Sequence, residues 1–257
     1  MLNAVTVDVE EWFDTVLFGR RPAAARSRLP ENAGAVLELL ARRGVKATFF
    51  ILGTVARDHP DTVRRIAAAG HEIASHGETH RSLCRLTPEE FRAGLRSSAE
   101  ALEQLAGTRP LGYRAPTFSV LGGDAAFLTE LKAAGYAYDS SLYPLPFTGR
   151  RAAPGSDGAV AEFPPSVTPS LRLPFLGGSF LRLLPRRVAA GRLAALNAAG
   201  LPGMLYFHTW EFEPGLPAGA GPVAAAGQFL NSASVPGKVD ALLSAFEFAP
   251  ARRVLGL

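Results

Sequence analysis

The strongest constraint on the fold is an alternation of short apolar, β-branched segments with helical segments along the whole chain. The segments typical of strands are 4–9, 45–53, 71–76, 111–116, 136–141, 159–164 and 203–212. The segments typical of helices are 31–44, 60–70, 87–107, 124–135, 185–200 and 237–248. Because strands that alternate with helices build βαβ units, the pattern predicts an α/β fold with a parallel sheet, as a barrel or a doubly wound sheet.

Local residues mark where several of these helices begin and end. Thr87 is the predicted N-cap of the longest helix, followed by Pro88 and by Glu90 at the capping-box position. Asp124 is the predicted cap of a later helix. The chain has 257 residues without an internal repeat or a linker. We therefore expect a single domain over 1–257, in which 235–257 forms a C-terminal helix and tail.

Charge and cysteine content exclude several classes of protein. The net charge is +4 without a block of like charges, so we expect no nucleic-acid partner. Cys84 is the single cysteine, which rules out an intrachain disulfide. No apolar run approaches the roughly 20 residues of a membrane span, and no signal peptide is visible. These features predict a cytoplasmic protein without a transmembrane segment.

Polar residues that close the predicted strands are the candidates for function, because sites in parallel α/β folds lie at the carboxyl ends of the strands. These residues come from five different strands, so a closed or curved sheet would bring them to one mouth. They are Asp8, Glu10 and Glu11 after the first strand, then His76, Arg114, Asp139 and His208.

The segment "HGETH" suggests a metal site. His76 and His80 are four residues apart, and in a helical turn this spacing places both imidazoles on one face. Two histidines and one carboxylate leave coordination positions open for water and substrate, as catalysis requires. The alternative, a pair of surface histidines, loses weight because an acidic cluster ends another strand.

The acidic cluster divides by position. Asp8 and Glu10 are two residues apart, so a strand would point both to the same face. One of them could ligate a cation while the other acts as a base. Arg114 is the type of residue that holds a buried acid ionised and in one orientation. His208, taken alone, suits a buried core or rim position as well as a catalytic one.

Five motifs in order, "TVDVEEWF", "SHGETHRSL", "YRAPTFSV", "YDSSLYP" and "LYFHTWEFEP", resemble the NodB-type polysaccharide deacetylases, the family-four carbohydrate esterases. The segment "LPFLGGSFLRLLP" resembles one in the exosortase-associated exopolysaccharide deacetylase subgroup. The resemblance spans residues 5–254. It implies a distorted (β/α)7 barrel and the hydrolysis of N-acetyl groups on amino sugars of a polysaccharide or oligosaccharide, in exopolysaccharide biosynthesis or modification. Peripheral association with an exopolysaccharide synthesis complex is a further expectation.

The resemblance also implies roles for single residues. Asp8 would be the general base, oriented by Arg114, and His208 the general acid. Glu10, His76 and His80 would hold one divalent metal ion, Zn²⁺ in the first place and Co²⁺, Ni²⁺ or Mn²⁺ as alternatives. Less directly, Asp139 would pair with a histidine of the site. The expected substrate contacts are Pro116, Thr117, Phe118, Trp210 and Glu211.

Two departures from the family pattern bear on these roles. Most of the family has a second aspartate where Val9 stands, so here the carboxylate ligand moves to Glu10 or to Glu11. The usual "HPWE" reads "HTWE", with Thr209 in place of proline. Other readings are an amidohydrolase of the same fold, acting on peptidoglycan or on a cyclic amide as the allantoinase-like relatives do, and an inactive glycan-binding module.

Overall fold

The computed structural model describes residues 1–15, 22–23, 25–120, 125–144, 160–168, 171–217 and 221–257. Its centre is an eight-stranded sheet in which every pair of named strands is parallel. The strands are β1 Asn3–Val9, β2 Thr48–Ile51, β3 Glu72–Ser75, β4 Gly112–Tyr113, β5 Tyr138–Asp139, β6 Ala161–Glu162, β7 Met204–His208 and β8 Phe248–Ala249. The order is β6-β5-β4-β3-β2-β1-β7, with β8 on β1. Among the described residues β6 does not pair with β7, so the sheet forms a half-barrel.

Helices connect and cover these strands. They are α1 Leu29–Arg42, α2 Gly53–Asp58, α3 Pro60–Ala68, α4 Pro88–Ala106, α5 Ala125–Ala133, α6 Gly178–Leu183, α7 Arg186–Ala198, α8 Pro222–Phe229, α9 Val235–Ala245 and α10 Ala251–Leu255. The described helices include none that is long and apolar enough to cross a membrane.

The two faces of β1 separate the core from the site. Val5, Val7 and Val9 are fully buried in the largest apolar cluster, which the covering helices share. Thr6 and Asp8 alternate with them and are also buried, on the opposite face of the strand. The alternation of β1 therefore places a carboxylate inside the half-barrel, at the carboxyl end of the strand.

The α/β fold class predicted from the sequence is confirmed. Some helices and strands begin or end at other residues than predicted, for local reasons. The predicted capping box of α4 is present: Thr87 Oγ1 accepts from the Glu90 amide, and Glu90 Oε2 accepts from the Thr87 amide. The last long strand ends at His208 instead of running to 212, because a 3₁₀ helix follows at Thr209–Phe212. The predicted cap Asp124 lies outside the described residues.

The end of the chain contains more structure than a helix and tail. After α9, the short strand β8 pairs with the start of β1 through Asn3 and Ala4. Helix α10 then lies at the amino ends of the strands, where the Ala251 amide donates to Thr48 Oγ1 at 2.7 Å and the Arg252 amide to Glu72 Oε2 at 3.2 Å. The carboxyl ends of the strands remain open for a site.

Candidate active site

Glu10, His76 and His80 converge at the carboxyl ends of β1 and β3. The three residues each offer one ligand atom, and these atoms lie within 4.8 Å of one another. Glu10 Oε2 is 2.8 Å from His80 Nε2 and 3.7 Å from His76 Nε2. Burial would raise the pKa of Glu10, but the charge of His80 and the contacts with both histidines bring it well below its usual value. The carboxylate is therefore ionised.

The histidine pair does not depend on a helical turn. Residues 76–80 are irregular, and Gly77 takes a φ of 82°, a left-handed conformation that glycine adopts without strain. Gly77 also packs closely against Tyr113, because a Cβ on Gly77 would lie 3.4 Å from the Tyr113 hydroxyl. His76 Nδ1 is 2.8 Å from the Arg114 carbonyl oxygen. With its Nδ1 hydrogen on that carbonyl, His76 presents Nε2 to the site.

The structure separates Glu10 from Glu11. Glu10 faces the histidine pair, whereas Glu11 Oε1 lies 3.7 Å from the ring of His59. Thr209 fixes the backbone of Glu10 by donating to its carbonyl at 2.9 Å and accepting from its amide at 3.3 Å. Trp210 Nε1 donates to Glu10 Oε1 at 3.0 Å. The threonine and tryptophan of "HTWE" thus support the one carboxylate that reaches the histidines.

These residues fit a divalent cation. Two imidazole nitrogens and one carboxylate oxygen are a ligand set typical of Zn²⁺ and related ions in catalytic sites. Glu10 Oε2 is buried and has no hydrogen-bond partner in the described part of the chain, and the same holds for His80 Nδ1. Buried polar atoms are normally satisfied, so an unsatisfied carboxylate oxygen between two histidines indicates a place for a positive ligand.

Asp8 is held by Arg114 inside the half-barrel. Arg114 is fully buried and donates from Nη1 to Asp8 Oδ1 at 2.6 Å and to Thr6 Oγ1 at 3.1 Å. Its Nη2 donates to Ser140 Oγ at 2.9 Å, and its guanidinium lies 4.0 Å from the ring centre of Phe50. Asp8 Oδ2 remains directed to the cleft, 3.9 Å from His208 Nε2.

His208 lies beside Asp8 because the two residues are register partners in the β1–β7 pair. Its Nδ1 is 3.1 Å from Glu211 Oε2, which also accepts from the His208 amide at 2.9 Å. Burial alone would lower the pKa of His208. The hydrogen bond with Glu211 and the charges of Glu10, Glu211 and Asp8 outweigh it and raise the pKa to about 9. The Nε2 atom of His208 lies toward the cleft, 3.9 Å from Asp8 Oδ2.

The structure gives three of the predicted site residues contacts that the sequence did not indicate. Glu211 is fully buried on His208 and does not line the cleft. Trp210 lines the cleft, but it is 4% exposed and stacks on the His208 ring with 5.0 Å between the ring centres. The carboxylate partner of His208 is Glu211, whereas Asp139 is hydrogen-bonded to Ser141. Burial raises the pKa of Asp139 to about 6.

The site opens into a cleft of about 250 Å³. Thr117 and Phe118 line it, as expected for substrate contacts, and both have positive φ values, 58° and 50°. Such strain in residues other than glycine is concentrated at functional sites. Pro116 is buried and does not line this cleft.

The sequence analysis assigned no role to several other residues that line the cleft. Tyr206 is one of them, and its ring centre lies 5.2 Å from that of Phe118 and 6.0 Å from that of His208. Gly178, Ser179 and Arg182 from "LPFLGGSFLRLLP" line the same cleft. The position of Arg182 was missed because packing of α6 on β7 brings it to the site, and no spacing in the sequence shows that contact.

Comparisons with known proteins match the chain to two family models. Residues 14–138 match the family model described as polysaccharide deacetylase, and residues 140–256 match one described as a domain of unknown function (DUF3473). The chain is 37% identical over 95 residues to the peptidoglycan-N-acetylglucosamine deacetylase of Bacillus cereus, covering 37% of this chain and 34% of that protein.

It is 42% identical over 73 residues to the chitooligosaccharide deacetylase of Rhizobium leguminosarum bv. trifolii, covering 28% of this chain and 34% of that protein. The alignments thus span about a third of these relatives. A solved structure from Mycobacterium smegmatis, assigned to the polysaccharide deacetylases, superposes with a TM-score of 0.68 at 25% identity, covering 99% of this chain and 88% of that chain.

Proposed function

We propose that this chain, which carries a polysaccharide deacetylase domain at residues 14–138 followed by the DUF3473 region at 140–256, hydrolyses N-acetyl groups of amino sugars in a polysaccharide. One observation carries the proposal. Glu10, His76, His80, Asp8 and His208 line the same cleft, and Arg114 and Glu211 lie buried behind Asp8 and His208 respectively. Together they offer a cation site, a base and an acid, which amide hydrolysis requires.

Glu10, His76 and His80 would hold one divalent ion, and we propose Zn²⁺ because imidazole and carboxylate donors with open positions suit it. When bound, such an ion polarises a carbonyl and lowers the pKa of water toward 7. Trp210 would keep Glu10 oriented through its indole hydrogen bond. His76 would stay oriented through its Nδ1 contact with the Arg114 carbonyl.

Asp8 would accept the proton of the attacking water. Arg114 occupies Oδ1 and leaves Oδ2 directed to the cleft, so one carboxylate oxygen is held and the other is available. His208 would then donate its Nε2 proton to the departing nitrogen, because its Nδ1 is engaged by Glu211. A well-placed acid or base each contributes about 10²–10⁴-fold to a rate.

The substrate class follows from the relatives and from the shape of the cleft. The named relatives are deacetylases of peptidoglycan N-acetylglucosamine and of chitooligosaccharide, and we extend an N-acetylated sugar polymer to this chain. An open cleft lined by the partly exposed ring of Phe118 suits a sugar ring. The "LPFLGGSFLRLLP" segment and the DUF3473 match support a role in exopolysaccharide biosynthesis or modification.

We also propose that both matched regions form one domain. The position of β1 supports this, because β1 precedes both regions and pairs with β2 of the first and with β7 of the second. The cleft likewise takes residues from both regions, with His76 and His80 on one side and His208 and Arg182 on the other.

The test is acetate release from N-acetylglucosamine oligomers, before and after treatment with a chelator and with Zn²⁺ restored. We expect activity that chelation removes and Zn²⁺ returns. Asp8→Asn should lower turnover by at least about 100-fold while the metal content stays near one ion per chain. Activity on a panel of cyclic imides without activity on the oligomers would replace the proposal with an allantoinase-like one.

The ligand assignment has a matched control in the chain. Glu10→Gln and the double variant His76→Ala/His80→Ala should lose the bound metal. Glu11→Gln removes a neighbouring buried carboxylate that faces His59, and this variant should keep the bound metal. Equal metal content in Glu10→Gln and Glu11→Gln would contradict the assignment. Oligomer binding with a full metal content but no acetate release would indicate an inactive glycan-binding protein.

A further inference from the structure

Arg182 is a buried cation at the cleft for which the chemistry above has no role. It lies on α6 and is 4% exposed. Its Nε is 3.4 Å from Glu211 Oε1, and its Nη2 donates to Ser179 Oγ at 2.8 Å. The guanidinium also lies 5.3 Å from the centre of the Trp210 ring. The Lys238 ammonium donates to the Arg182 carbonyl at 2.7 Å, so the backbone is fixed as well.

Glu211 connects Arg182 to His208. The carboxylate is fully buried, and its Oε2 is used by the amide and Nδ1 of His208. Its Oε1 has no hydrogen-bond partner in the described residues, and Arg182 is the cation that faces it there. A buried carboxylate without a paired charge is costly, so the guanidinium of Arg182 offsets the burial of Glu211 at this place.

We propose that Arg182 is a positioning residue for protonation of the leaving group, which rests on the proposed deacetylase function. Arg182 holds Oε1 of Glu211, so Oε2 keeps the His208 ring with Nε2 toward the cleft. Without Arg182, Oε1 of Glu211 loses the cation that faces it, the carboxylate can turn, and the His208 ring loses its fixed orientation.

The contacts from Arg182 through Glu211 to His208 bear on one step of the reaction, the protonation of the leaving nitrogen. Water adds its hydroxyl to the acetyl carbon, the C–N bond breaks, and the nitrogen leaves as an amine after it takes a proton from His208. The products are acetate and the free amino sugar. An aryl ester such as 4-nitrophenyl acetate also yields acetate, but its phenolate leaves as a stable anion and needs no proton. Loss of His208 orientation should therefore slow the amide far more than the ester.

The experiment compares Arg182→Met and Arg182→Lys on both substrates. For Arg182→Met we expect kcat on N-acetylglucosamine oligomers to fall about 10–100-fold with KM within about twofold, and the 4-nitrophenyl acetate rate to change less than about threefold. Arg182→Lys keeps the charge and should recover part of the oligomer rate. Arg186→Met, which removes an exposed arginine at the start of α7, is the matched control and should leave both rates unchanged.

A second variant tests whether Arg182 acts through Glu211. Glu211→Gln should show the same split between amide and ester, and Arg182→Met should add little to it, because residues that act as a unit are not additive. Equal losses on both substrates, an unchanged oligomer rate, or additive effects in the double variant would overturn the inference. If Arg182→Met does not fold, Arg182→Lys and Glu211→Gln decide it alone. A wild-type chain inactive on the oligomers would instead overturn the proposed function.

Discussion

Gly177 offers a sharp test of how the cleft wall is built. It precedes α6 and forms an isolated parallel bridge with Tyr206. Its φ of −175° is extended backbone that any residue adopts, so conformation does not require glycine here. The lack of space does require glycine, because a Cβ on residue 177 would lie 2.0 Å from Tyr206 Cδ1 and 2.1 Å from Tyr206 Cε1. Gly177→Ala therefore perturbs one contact, that of the new methyl group with the Tyr206 ring.

The cost can be worked from this overlap. Ordinary Cβ contacts begin near 3.4 Å, so the ring must withdraw by about 1.4 Å. It is buried and packs on Phe118 and His208, which leaves it little room to move. Overpacking of this kind costs about 1–3 kcal/mol, and the depth of the overlap puts Gly177→Ala near about 3 kcal/mol. For a chain of this size that corresponds to a fall in Tm of about 6–12 °C.

Urea unfolding would measure this cost in two backgrounds. In Tyr206→Ala the ring is absent, so adding Gly177→Ala should cost less than about 1 kcal/mol, a coupling of about 2 kcal/mol. Gly191→Ala is the control: this glycine lies in α7 with no atom within 4 Å of a new Cβ, and the change should stabilise by about 0.5–1 kcal/mol. An equal cost of Gly177→Ala with and without the tyrosine ring would refute the reasoning.

Three further predictions concern metal binding and pH. Chelation should lower Tm by about 5–10 °C when the metal is about 100-fold above its Kd, because a ligand of the native state then contributes about 2.7 kcal/mol. In thermal melts, Glu11→Gln should show the same fall in Tm on chelation, and Glu10→Gln should show none. Trp210→Phe removes the indole donor to Glu10 and should weaken metal affinity about 10–100-fold in competition with a chromophoric chelator; an unchanged affinity would remove Trp210 from the site. Burial, with the charge of Lys46, lowers the pKa of His71 to about 4, so the unfolded chain binds more protons and stability falls as pH drops from about 6.5 to 4. Between pH 7 and 4.5 the free energy of unfolding of the wild type should fall by about 2 kcal/mol more than that of His71→Asn. Urea midpoints that fall in parallel for the two proteins would contradict this.

Residues whose position depends on one strand were predictable from the sequence. Asp8 and Glu10 lie on the same side because side chains alternate along a strand, and both line the cleft. His76 follows the carboxyl end of β3, where a parallel sheet exposes its polar residues. The spacing of His76 and His80 suggested a helical turn, but an irregular turn at Gly77 brings the same two rings to 5.5 Å. The sequence thus predicted that these side chains come together, although it did not predict the local conformation that brings them there.

Residues whose position depends on a turn or on tertiary packing were harder to assign. The 3₁₀ helix after β7 folds Glu211 back onto His208, which turned an expected substrate contact into a buried partner. The spacing of three residues between them could have indicated this, because side chains three apart share a face in a 3₁₀ turn. Arg182 is different. No local pattern predicts that residues 182 and 211 meet, since only the packing of α6 on β7 brings them together.

The residues that line the cleft come from both matched regions and from the segment before them. Residues 14–138 contain His76, His80 and Arg114, which give the histidines of the cation site and the partner of the base. His208, with Glu211 and Arg182 beside it, lies within residues 140–256. Asp8 and Glu10 precede both matched regions, and β1 joins the regions because it pairs with β2 of the first and with β7 of the second. Under the proposed function, the DUF3473 region would therefore carry the proton donor and keep it oriented beside the base.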